Sequence, residues 1–349
     1  SFSDETSAQL SDNSFLFVQD GGDIEFLDAA ELDSDHSFLT VSGGSIILSG
    51  TGTSNIVNES EFLVSGGNIE YRDEKIILFD DSTFAITSGN FLTYNNAIFN
   101  METQSVGSVT GGNFVLQDSS TVNMIEDSSV SISAGNVEMH DNGNVNMNTA
   151  TITVSGSGGV SGNFELNDFV KLLMQDSLVS VTGGNFNSFG SVLTESTSST
   201  ISVSAGSASF RGSSEYIGNQ SELLVSGGNM NILDSTVWTL DESLASVSGG
   251  NLLMSGTSQT SLSKSIFDVS GGNINLLANG DLSIEDSSLQ VSGGDLYHDD
   301  NSRFESVDSS IDITNGRIVY DGNTKVVMET TQITIQQIVT IAARLPSPI

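Results

Sequence analysis

The sequence contains no cysteine, only two prolines and only 9 basic residues, against 44 acidic residues and a net charge of −35. Partners such as DNA, RNA and acidic polysaccharides need Lys and Arg to neutralise their charges, so the scarcity of bases excludes them. No apolar run reaches the roughly 18 residues of a membrane-spanning helix, and no span is expected in this chain. Ser1 to Leu10 lack both a basic and an apolar segment, so we expect a mature chain or a fragment whose targeting signal is gone.

The composition also argues against simple disorder. Apolar residues make up only 37% of the chain, but the chain has 18 phenylalanines and a mean hydropathy of zero. Disordered chains have few aromatic and few β-branched residues. A length of 349 residues suggests two or three ordinary domains, although long all-β chains often form a single unit.

A short string built around Gly-Gly-Asn and a following apolar residue recurs along nearly the whole chain, as in Val64 to Ile69. Successive copies lie about 22 or 23 residues apart, a spacing typical of solenoid repeats. One interval, from Gly135 to Gly162, is longer. The copies leave no place for a domain boundary. The last glycine of each copy serves as the anchor of its repeat, and the anchors are Gly22, Gly44, Gly67, Gly89, Gly112, Gly135, Gly162, Gly184, Gly206, Gly228, Gly250, Gly272, Gly294 and Gly316.

Each repeat contains three pairs of apolar residues, and one residue separates the two members of a pair. The pairs fall five and three positions before the anchor, two and four after it, and ten and twelve after it, as at Ile77 and Phe79. Such alternation is the period of a β-strand, and the Gly, Asn, Asp and Ser residues between pairs favour turns. We therefore predict an all-β, single-domain parallel β-helix (a solenoid), right-handed, with about 14 coils of 22–23 residues and three short strands per coil.

The predicted β-helix divides the chain into three parts. Residues 1–13 form an N-terminal cap or extension, residues 14–328 form the 22-residue repeats, and residues 329–349 form a partial last coil and an exit segment. The long interval between Gly135 and Gly162 places five extra residues, roughly Gly156 to Val160, at the Gly-Gly corner. Two interpretations of these extra residues stay open: a tolerated bulge and a binding loop.

Two polar columns recur, with serine seven residues before the anchor and asparagine one residue after it. Equivalent residues of a solenoid stack on one another, so we expect these side chains to hydrogen-bond along the axis. A row of catalytic serines is the alternative, but a nucleophilic serine needs a base, and His36, His140 and His298 are scattered over different columns. Ser or Thr also recurs two residues before the anchor, which indicates a solvated sheet face that carries hydroxyl groups.

Carboxylates form further columns at the corners. Asp118, Asp141 and Asp168, each six residues after an anchor, fall in three consecutive coils. Carboxylates stacked about 5 Å apart can share Ca²⁺, a hard cation that prefers oxygen ligands. These three residues are the candidate metal ligands, and no other cofactor is indicated. The second interpretation, that charged edges keep a β-rich protein soluble, stays open beside the first.

These Gly-Gly-Asn-apolar repeats resemble the parallel β-helix rods of bacterial surface proteins: autotransporter passengers, filamentous adhesins and the polymorphic membrane proteins of chlamydiae. The chlamydial proteins carry Gly-Gly-Ala-apolar and Phe-x-x-Asn repeats. This chain has one Phe-x-x-Asn match, Phe164 to Asn167. The resemblance covers the whole chain in architecture. It implies an extracellular or cell-surface location, and the absence of cysteine fits a rod that is exported unfolded.

We therefore expect a non-enzymatic extracellular rod: a surface stalk, an adhesin passenger, or a matrix or filament component. Its partner would be another copy of the chain or a component of a cell surface or matrix, and not a nucleic acid. The alternative is a polysaccharide-binding or polysaccharide-cleaving β-helix that uses surface carboxylates, because pectinases and phage tailspikes share this architecture. Of the strings typical of polygalacturonases, only Asp80-Asp81 and Asp299-Asp300 occur.

Overall fold

The computed structural model describes residues 1, 7–19, 21–156 and 162–336. These residues form an all-β parallel solenoid of about 15 turns with three strands per turn and three sheets, which confirms the predicted fold. By packing, the chain forms two compact units, Ser1–Gly184 and Asn185–Ile349. Within the described ranges there is no helix long and apolar enough to cross a membrane. The right-handed sense stays a prediction.

The strands are numbered in chain order. Those of the first unit are β1 (Ser7–Leu10), β2 (Phe15–Val18), β3 (Ile24–Phe26), β4 (Glu31–Asp35), β5 (Phe38–Ser42), β6 (Ile46–Leu48), β7 (Thr53–Val57), β8 (Glu61–Ser65), β9 (Ile69–Tyr71), β10 (Ile76–Asp80), β11 (Thr83–Thr87), β12 (Phe91–Thr93), β13 (Ile98–Glu102), β14 (Val106–Thr110), β15 (Phe114–Leu116), β16 (Thr121–Met124), β17 (Ser129–Ser133), β18 (Val137–Met139), β19 (Asn144–Asn148), β20 (Thr151–Ser155), β21 (Phe164–Asp168), β22 (Lys171–Gln175) and β23 (Leu178–Thr182).

The second unit continues the numbering. Its strands are β24 (Phe186–Gly190), β25 (Leu193–Thr197), β26 (Thr200–Val203), β27 (Ala208–Phe210), β28 (Glu215–Asn219), β29 (Glu222–Val225), β30 (Met230–Ile232), β31 (Val237–Asp241), β32 (Leu244–Val247), β33 (Leu252–Met254), β34 (Gln259–Ser263), β35 (Ile266–Val269), β36 (Ile274–Leu276), β37 (Asp281–Glu285), β38 (Ser288–Ser292), β39 (Leu296–His298), β40 (Arg303–Val307), β41 (Ser310–Thr314), β42 (Ile318–Tyr320), β43 (Lys325–Glu329) and β44 (Gln332–Gln336).

Every third strand belongs to the same sheet, so sheet 1 begins with β1 and β4, sheet 2 with β2 and β5, and sheet 3 with β3 and β6. In the first unit, Ile77 of β10 lies opposite Phe99 of β13, which lies opposite Val122 of β16. The second unit follows the same rule, and Tyr216 of β28 lies opposite Trp238 of β31. Because the register is the same from turn to turn, residues at one repeat position form a column on one face of a sheet.

The core of each unit consists of the inward-facing apolar pairs, as the alternation predicts. In the first unit, Phe91 stacks on Phe114 with ring centroids 4.7 Å apart and an interplanar angle of 9°. Phe84 of β11 fills the space beside Gly107 of β14, where an added Cβ would lie 2.2 Å from the Phe84 ring. A large residue is thus followed by a small one in the same inward column, which keeps the packing dense.

The corner between sheets 1 and 2 accounts for the repeats that are one residue longer than the others. In each of these longer repeats, two successive corner residues have a left-handed backbone, as at Asn58 and Glu59 with φ of 54° and 60°. A shorter repeat has one such residue, as at Asp81 with φ of 47°. The additional residue therefore lies outside the strands, and the strand columns stay in register. Of the predicted insertion, Gly156 follows β20, and residues 157–161 lie outside the described residues.

The two positions of the Gly-Gly corner, between sheets 2 and 3, favour glycine for different reasons. In the first unit, the first position has a left-handed backbone, with φ of 74° at Gly111, and Ser88 and Ala134 adopt the same conformation. The second position faces the preceding turn at close range, and a Cβ on Gly112 would lie 1.7 Å from the carbonyl oxygen of Gly89. In the first unit, the first glycine is therefore favoured by its conformational freedom, whereas the second is required by the approach of two backbones. In the second unit, close approach also governs some first positions, since a Cβ on Gly249 would lie 2.7 Å from the carbonyl oxygen of Ser226.

Strand pairing extends into both predicted terminal parts. Within residues 1–13, β1 pairs in parallel with β4. Within residues 329–349, β44 pairs with β41. Residues 2–6 and 337–349, which hold the rest of the predicted cap and exit segment, lie outside the described residues.

A histidine lies in the core of the second unit. His298 of β39 is inaccessible to solvent, and neither of its ring nitrogens has a hydrogen-bond partner. Its ring stacks on that of Tyr320, with centroids 5.2 Å apart, and lies 5.5 Å from that of Phe304. Burial lowers the pKa of His298 to about 4, because a charge without a partner is unfavourable in an apolar site.

We expect Gly112→Ala to lower the free energy of unfolding by about 3 kcal/mol, because the added Cβ overlaps the Gly89 carbonyl. Gly111→Ala is the matched control. Its Cβ would lie 3.9 Å from the nearest atom, so the substitution costs only about 1 kcal/mol for the left-handed backbone. Urea unfolding followed by circular dichroism measures both losses, and equal losses would contradict the steric explanation.

The buried histidine predicts a loss of stability in acid. Because its pKa in the folded state is about 4 and its ordinary value is 6.5, the unfolded chain binds the proton first, and stability falls as the pH decreases through this interval. The full effect is about 3 kcal/mol. We expect His298→Leu, which copies Leu276 of the preceding turn, to remove this part of the pH dependence. Urea unfolding at neutral and acidic pH, followed by Trp238 fluorescence, compares the two proteins, and identical pH profiles would contradict the prediction.

Candidate functional site

The serine column bonds to the backbone at the corner between sheets 1 and 2. In the second unit, the hydroxyl of Ser243 donates to the carbonyl of Asp241 (2.7 Å) and accepts the N–H of Ser221 from the preceding turn (3.0 Å). Ser265 and Ser287 make the same two bonds. These hydroxyls satisfy backbone groups at a tight corner, and their protons are already donated to carbonyl oxygens.

The asparagine column links successive turns beside sheet 3. In the first unit, the side-chain oxygen of Asn68 accepts the backbone N–H of Asn90 at 3.0 Å, and the oxygens of Asn90 and Asn113 accept the next N–H of the column at 2.9 Å. In the second unit, Ser207 and Asp295 take the place of asparagine in the same series of bonds. The predicted hydrogen bonding along the axis is confirmed, with backbone N–H groups as the donors.

The three candidate calcium ligands lie at the corner between sheets 3 and 1, in consecutive turns. Asp118, Asp141 and Asp168 all have a left-handed backbone, with φ of 56°, 54° and 65°. In most turns this position holds Asp, Asn or Gly, the residues that adopt this conformation most readily. The backbone conformation is therefore sufficient to explain why aspartate recurs in the column.

Two carboxylates of this column, Asp118 and Asp73, also form hydrogen bonds between turns. Asp118 accepts the backbone N–H of Asn95 at 3.3 Å, and Asp73 accepts that of Gly50 at 3.2 Å. In the part of the chain that the structure describes, no three His, Cys, Asp or Glu side chains lie together so as to hold a metal ion. The three aspartates are stacked, but they are not gathered into one ligand set, and a shared calcium ion stays a prediction.

The outward face of sheet 2 in the first unit carries no charge from β11 to β23. Five strands place Ser or Thr at most of their outward positions there, and the exceptions are Ala85, Val106 and Leu178. The register aligns the outward residues in three columns. We call this surface the hydroxyl face, and its hydroxyl residues are Thr83, Thr87, Ser108, Thr110, Ser129, Ser131, Ser133, Thr151, Thr153, Ser155, Ser180 and Thr182.

The outward face of sheet 3 in the first unit is different in chemistry. Two neighbouring columns of side chains cover it over five turns. We call this surface the mixed face. Its first column is Glu70, Leu92, Val115, Glu138 and Glu165, and its second column, two residues further along each turn, is Arg72, Tyr94, Gln117, His140 and Asn167.

At one end of the mixed face, two carboxylates and an imidazole lie on adjacent turns. Glu138 accepts a hydrogen bond from the Asn136 amide (3.1 Å) and lies 3.8 Å from Nε2 of His140. Nδ1 of His140 is 3.3 Å from the amide nitrogen of Asn167. Glu165 lies opposite Glu138 in the sheet. Such a group can bind hydroxyl groups or transfer a proton.

At the other end of the mixed face, Tyr94 lies near an ion pair. Glu70 accepts a hydrogen bond from the Asn68 amide (3.3 Å) and pairs with Arg72. Partial burial raises the pKa of the Tyr94 phenol, the Glu70 and Asp118 carboxylates raise it further, and Arg72 acts in the opposite direction. The phenol therefore keeps its proton and can donate a hydrogen bond.

Reasoning from the sequence did not identify the mixed face. The sequence predictions rest on the apolar columns, which face inward, and on the acidic residues, which lie at corners between sheets. The available signal was the position five residues after the anchor, where Tyr94, Gln117, His140 and Asn167 succeed one another. All four have planar side chains that form hydrogen bonds.

For the aspartate column, the backbone explanation makes a direct prediction. We expect Asp118→Asn to change the free energy of unfolding by less than about 0.5 kcal/mol, because Asn also adopts the left-handed conformation. Asp118→Val should lower it by about 1–2 kcal/mol. Urea unfolding measures both, and a large loss in Asp118→Asn would show that the charge itself is needed.

Calcium binding is tested on the same proteins by melting them with Ca²⁺ and with EDTA. A shared ion would raise the Tm of the wild type, and the rise would be absent from the triple variant Asp118→Asn/Asp141→Asn/Asp168→Asn. An unchanged Tm in the wild type would remove the calcium prediction.

Comparisons with known proteins identify neither a family nor a function for this chain. No protein-family model matches this chain, and no curated protein matches it either. Among solved structures, the chain is similar to the crystal structure of a TibC-catalyzed hyper-glycosylated TibA55-350 fragment, with 13% sequence identity and a TM-score of 0.28. The match covers 95% of this chain and 100% of that chain. At this TM-score, the similarity supports neither a family nor a function.

Proposed function

We propose that the protein is a non-enzymatic extracellular or cell-surface solenoid that acts in adhesion or assembly, as a stalk, an adhesin passenger, or a matrix or filament component. The hydroxyl face carries this proposal, because its outward residues bear no charge over five strands in a chain of net charge −35. Two copies of so acidic a chain repel each other where their carboxylates meet. At the hydroxyl face, a second copy can approach to contact distance without this local repulsion.

Association through the hydroxyl face alone would be weak. Five strands about 4.8 Å apart, with five residues of about 3.3 Å each, cover roughly 400 Å². Stable protein interfaces bury about 800 Å² on each partner. Repeated contacts among many copies would compensate for the small area, which suits a matrix or filament component better than an isolated pair.

Two features support a non-enzymatic role. The serine-column hydroxyls of Ser243, Ser265 and Ser287 donate their protons to backbone carbonyls and are not free nucleophiles. Corners such as that between β5 and β6 are short, whereas enzyme clefts on solenoids are built from long loops. The polysaccharide-cleaving alternative would use the neighbouring carboxylates of Glu138 and Glu165.

Sedimentation velocity tests assembly through the hydroxyl face. We expect the wild type to form larger species as its concentration rises, and to do so more strongly at about 1 M salt than at about 0.15 M, because salt screens the repulsion of the other faces. Ser131→Glu/Thr153→Glu should prevent the association, because it places carboxylates in the centre of the face.

The control is Thr121→Glu/Asn144→Glu, which adds the same charge to the same two turns on the outward face of sheet 1. It should associate like the wild type. A wild type that stays monomeric under all these conditions would contradict the proposed assembly, and so would equal effects of the two double variants.

A further inference from the structure

The mixed face has an apolar centre between two polar ends. Leu92 and Val115 point outward from adjacent strands and lie opposite each other. Glu70 lies opposite Leu92 in the preceding turn, and Glu138 lies opposite Val115 in the following turn. Val115 is only 7% exposed although it points outward, so its neighbours cover its flanks. The face therefore offers a small apolar floor with hydrogen-bonding groups at each end.

Planar side chains border this floor along one side. Tyr94 and Gln117 lie two residues beyond Leu92 and Val115 in their turns, and His140 continues the same column. They follow one another at the turn spacing of about 4.8 Å. Each has a planar group with a hydrogen-bonding edge.

The polar ends of the face are held in place before any ligand binds. The side chain of Glu70 is 12% exposed beside Arg72, and that of Glu138 is 25% exposed beside His140. Groups that are already ordered lose little conformational entropy when a ligand binds. The arrangement is therefore suited to a ligand that has many hydroxyl groups.

We infer that the mixed face binds a neutral polysaccharide whose chain runs along the solenoid axis. The C–H faces of sugar rings would pack on Tyr94 and Leu92, while the Glu138 carboxylate and the Gln117 amide would bond to sugar hydroxyls. A polysaccharide repeats its groups along one direction, as the solenoid does, so successive sugars meet successive turns. The adjacent carboxylates of Glu138 and Glu165, together with the net charge of −35, repel uronic acids and sulfated sugars, which leaves neutral chains as the ligand class.

This binding does not depend on the proposed assembly. The mixed face belongs to sheet 3 and the hydroxyl face to sheet 2, so substitutions on one leave the other unchanged. Loss of glycan binding and loss of self-association can therefore be measured separately.

Affinity electrophoresis tests the inference, because it detects weak binding to polymers. The wild type is run in native gels that contain hydroxyethylcellulose, galactomannan or glycol chitin as neutral polysaccharides, or polygalacturonate as the anionic comparison. We expect at least one neutral polymer to retard the wild type and polygalacturonate to leave it unretarded. Tyr94→Ala/Gln117→Ala should raise the apparent dissociation constant by about tenfold or more.

The matched control is Ser131→Ala/Thr153→Ala, which truncates two side chains on the hydroxyl face and should be retarded like the wild type. Melting curves establish that both double variants are folded. A wild type that passes all three neutral gels unretarded would overturn the inference. Retention of full binding by Tyr94→Ala/Gln117→Ala would overturn it as well.

The same polymers, incubated with the protein in solution, report cleavage through new reducing ends. If the wild type releases new reducing ends and Glu138→Gln does not, the result would support binding at the mixed face. The same result would contradict the non-enzymatic role. If Glu138→Gln still releases reducing ends, cleavage takes place at another site. That result would count against the mixed face.

Discussion

The close stacking of one turn on the next is the contact on which the rest of this structure depends. At the Gly-Gly corner, the carbonyl oxygen of Gly89 occupies the space where a side chain at position 112 would begin. Backbone N–H groups also bond from turn to turn. That of Asn90 donates to the side chain of Asn68 in the preceding turn, and that of Ser221 donates to the hydroxyl of Ser243 in the following turn. Since every turn must fit the one before it, a strand position that faces inward in one turn faces inward in the next.

The outward positions are less constrained by this stacking, and there the sheets differ in chemistry. Sheet 2 of the first unit presents Ser and Thr without charge over five strands, as at Ser131 and Thr153. Sheet 3 of the same unit combines apolar, planar and acidic side chains, as at Leu92, Tyr94 and Glu138. The large negative charge is thus unevenly distributed. The hydroxyl face carries no charge and the mixed face holds its carboxylates at its ends, so these two surfaces are the ones suited to recognition.

The alternating pairs, such as Ile77 and Phe79, predict the inward columns correctly, because burial in a strand has a period of two residues. The aspartate column shows the limit of the same reasoning. Asp118, Asp141 and Asp168 are regular enough to suggest a cation site, yet a left-handed corner selects for the same residue types. A recurring residue in a solenoid can reflect the backbone alone, and the sequence does not distinguish this cause from a ligand.

The sequence by itself determined the repeat, the three strands per turn and the side of each sheet that is buried, because these are periodicities along one dimension. Tertiary structure alone decided how an additional residue is accommodated, since the spacing of the columns does not show that Asn58 and Glu59 both take a left-handed backbone. It also decided which outward side chains meet. His140 and Asn167 are 27 residues apart in the chain. They become neighbours only because the intervening chain completes one turn and β21 pairs in register with β18 of the preceding turn.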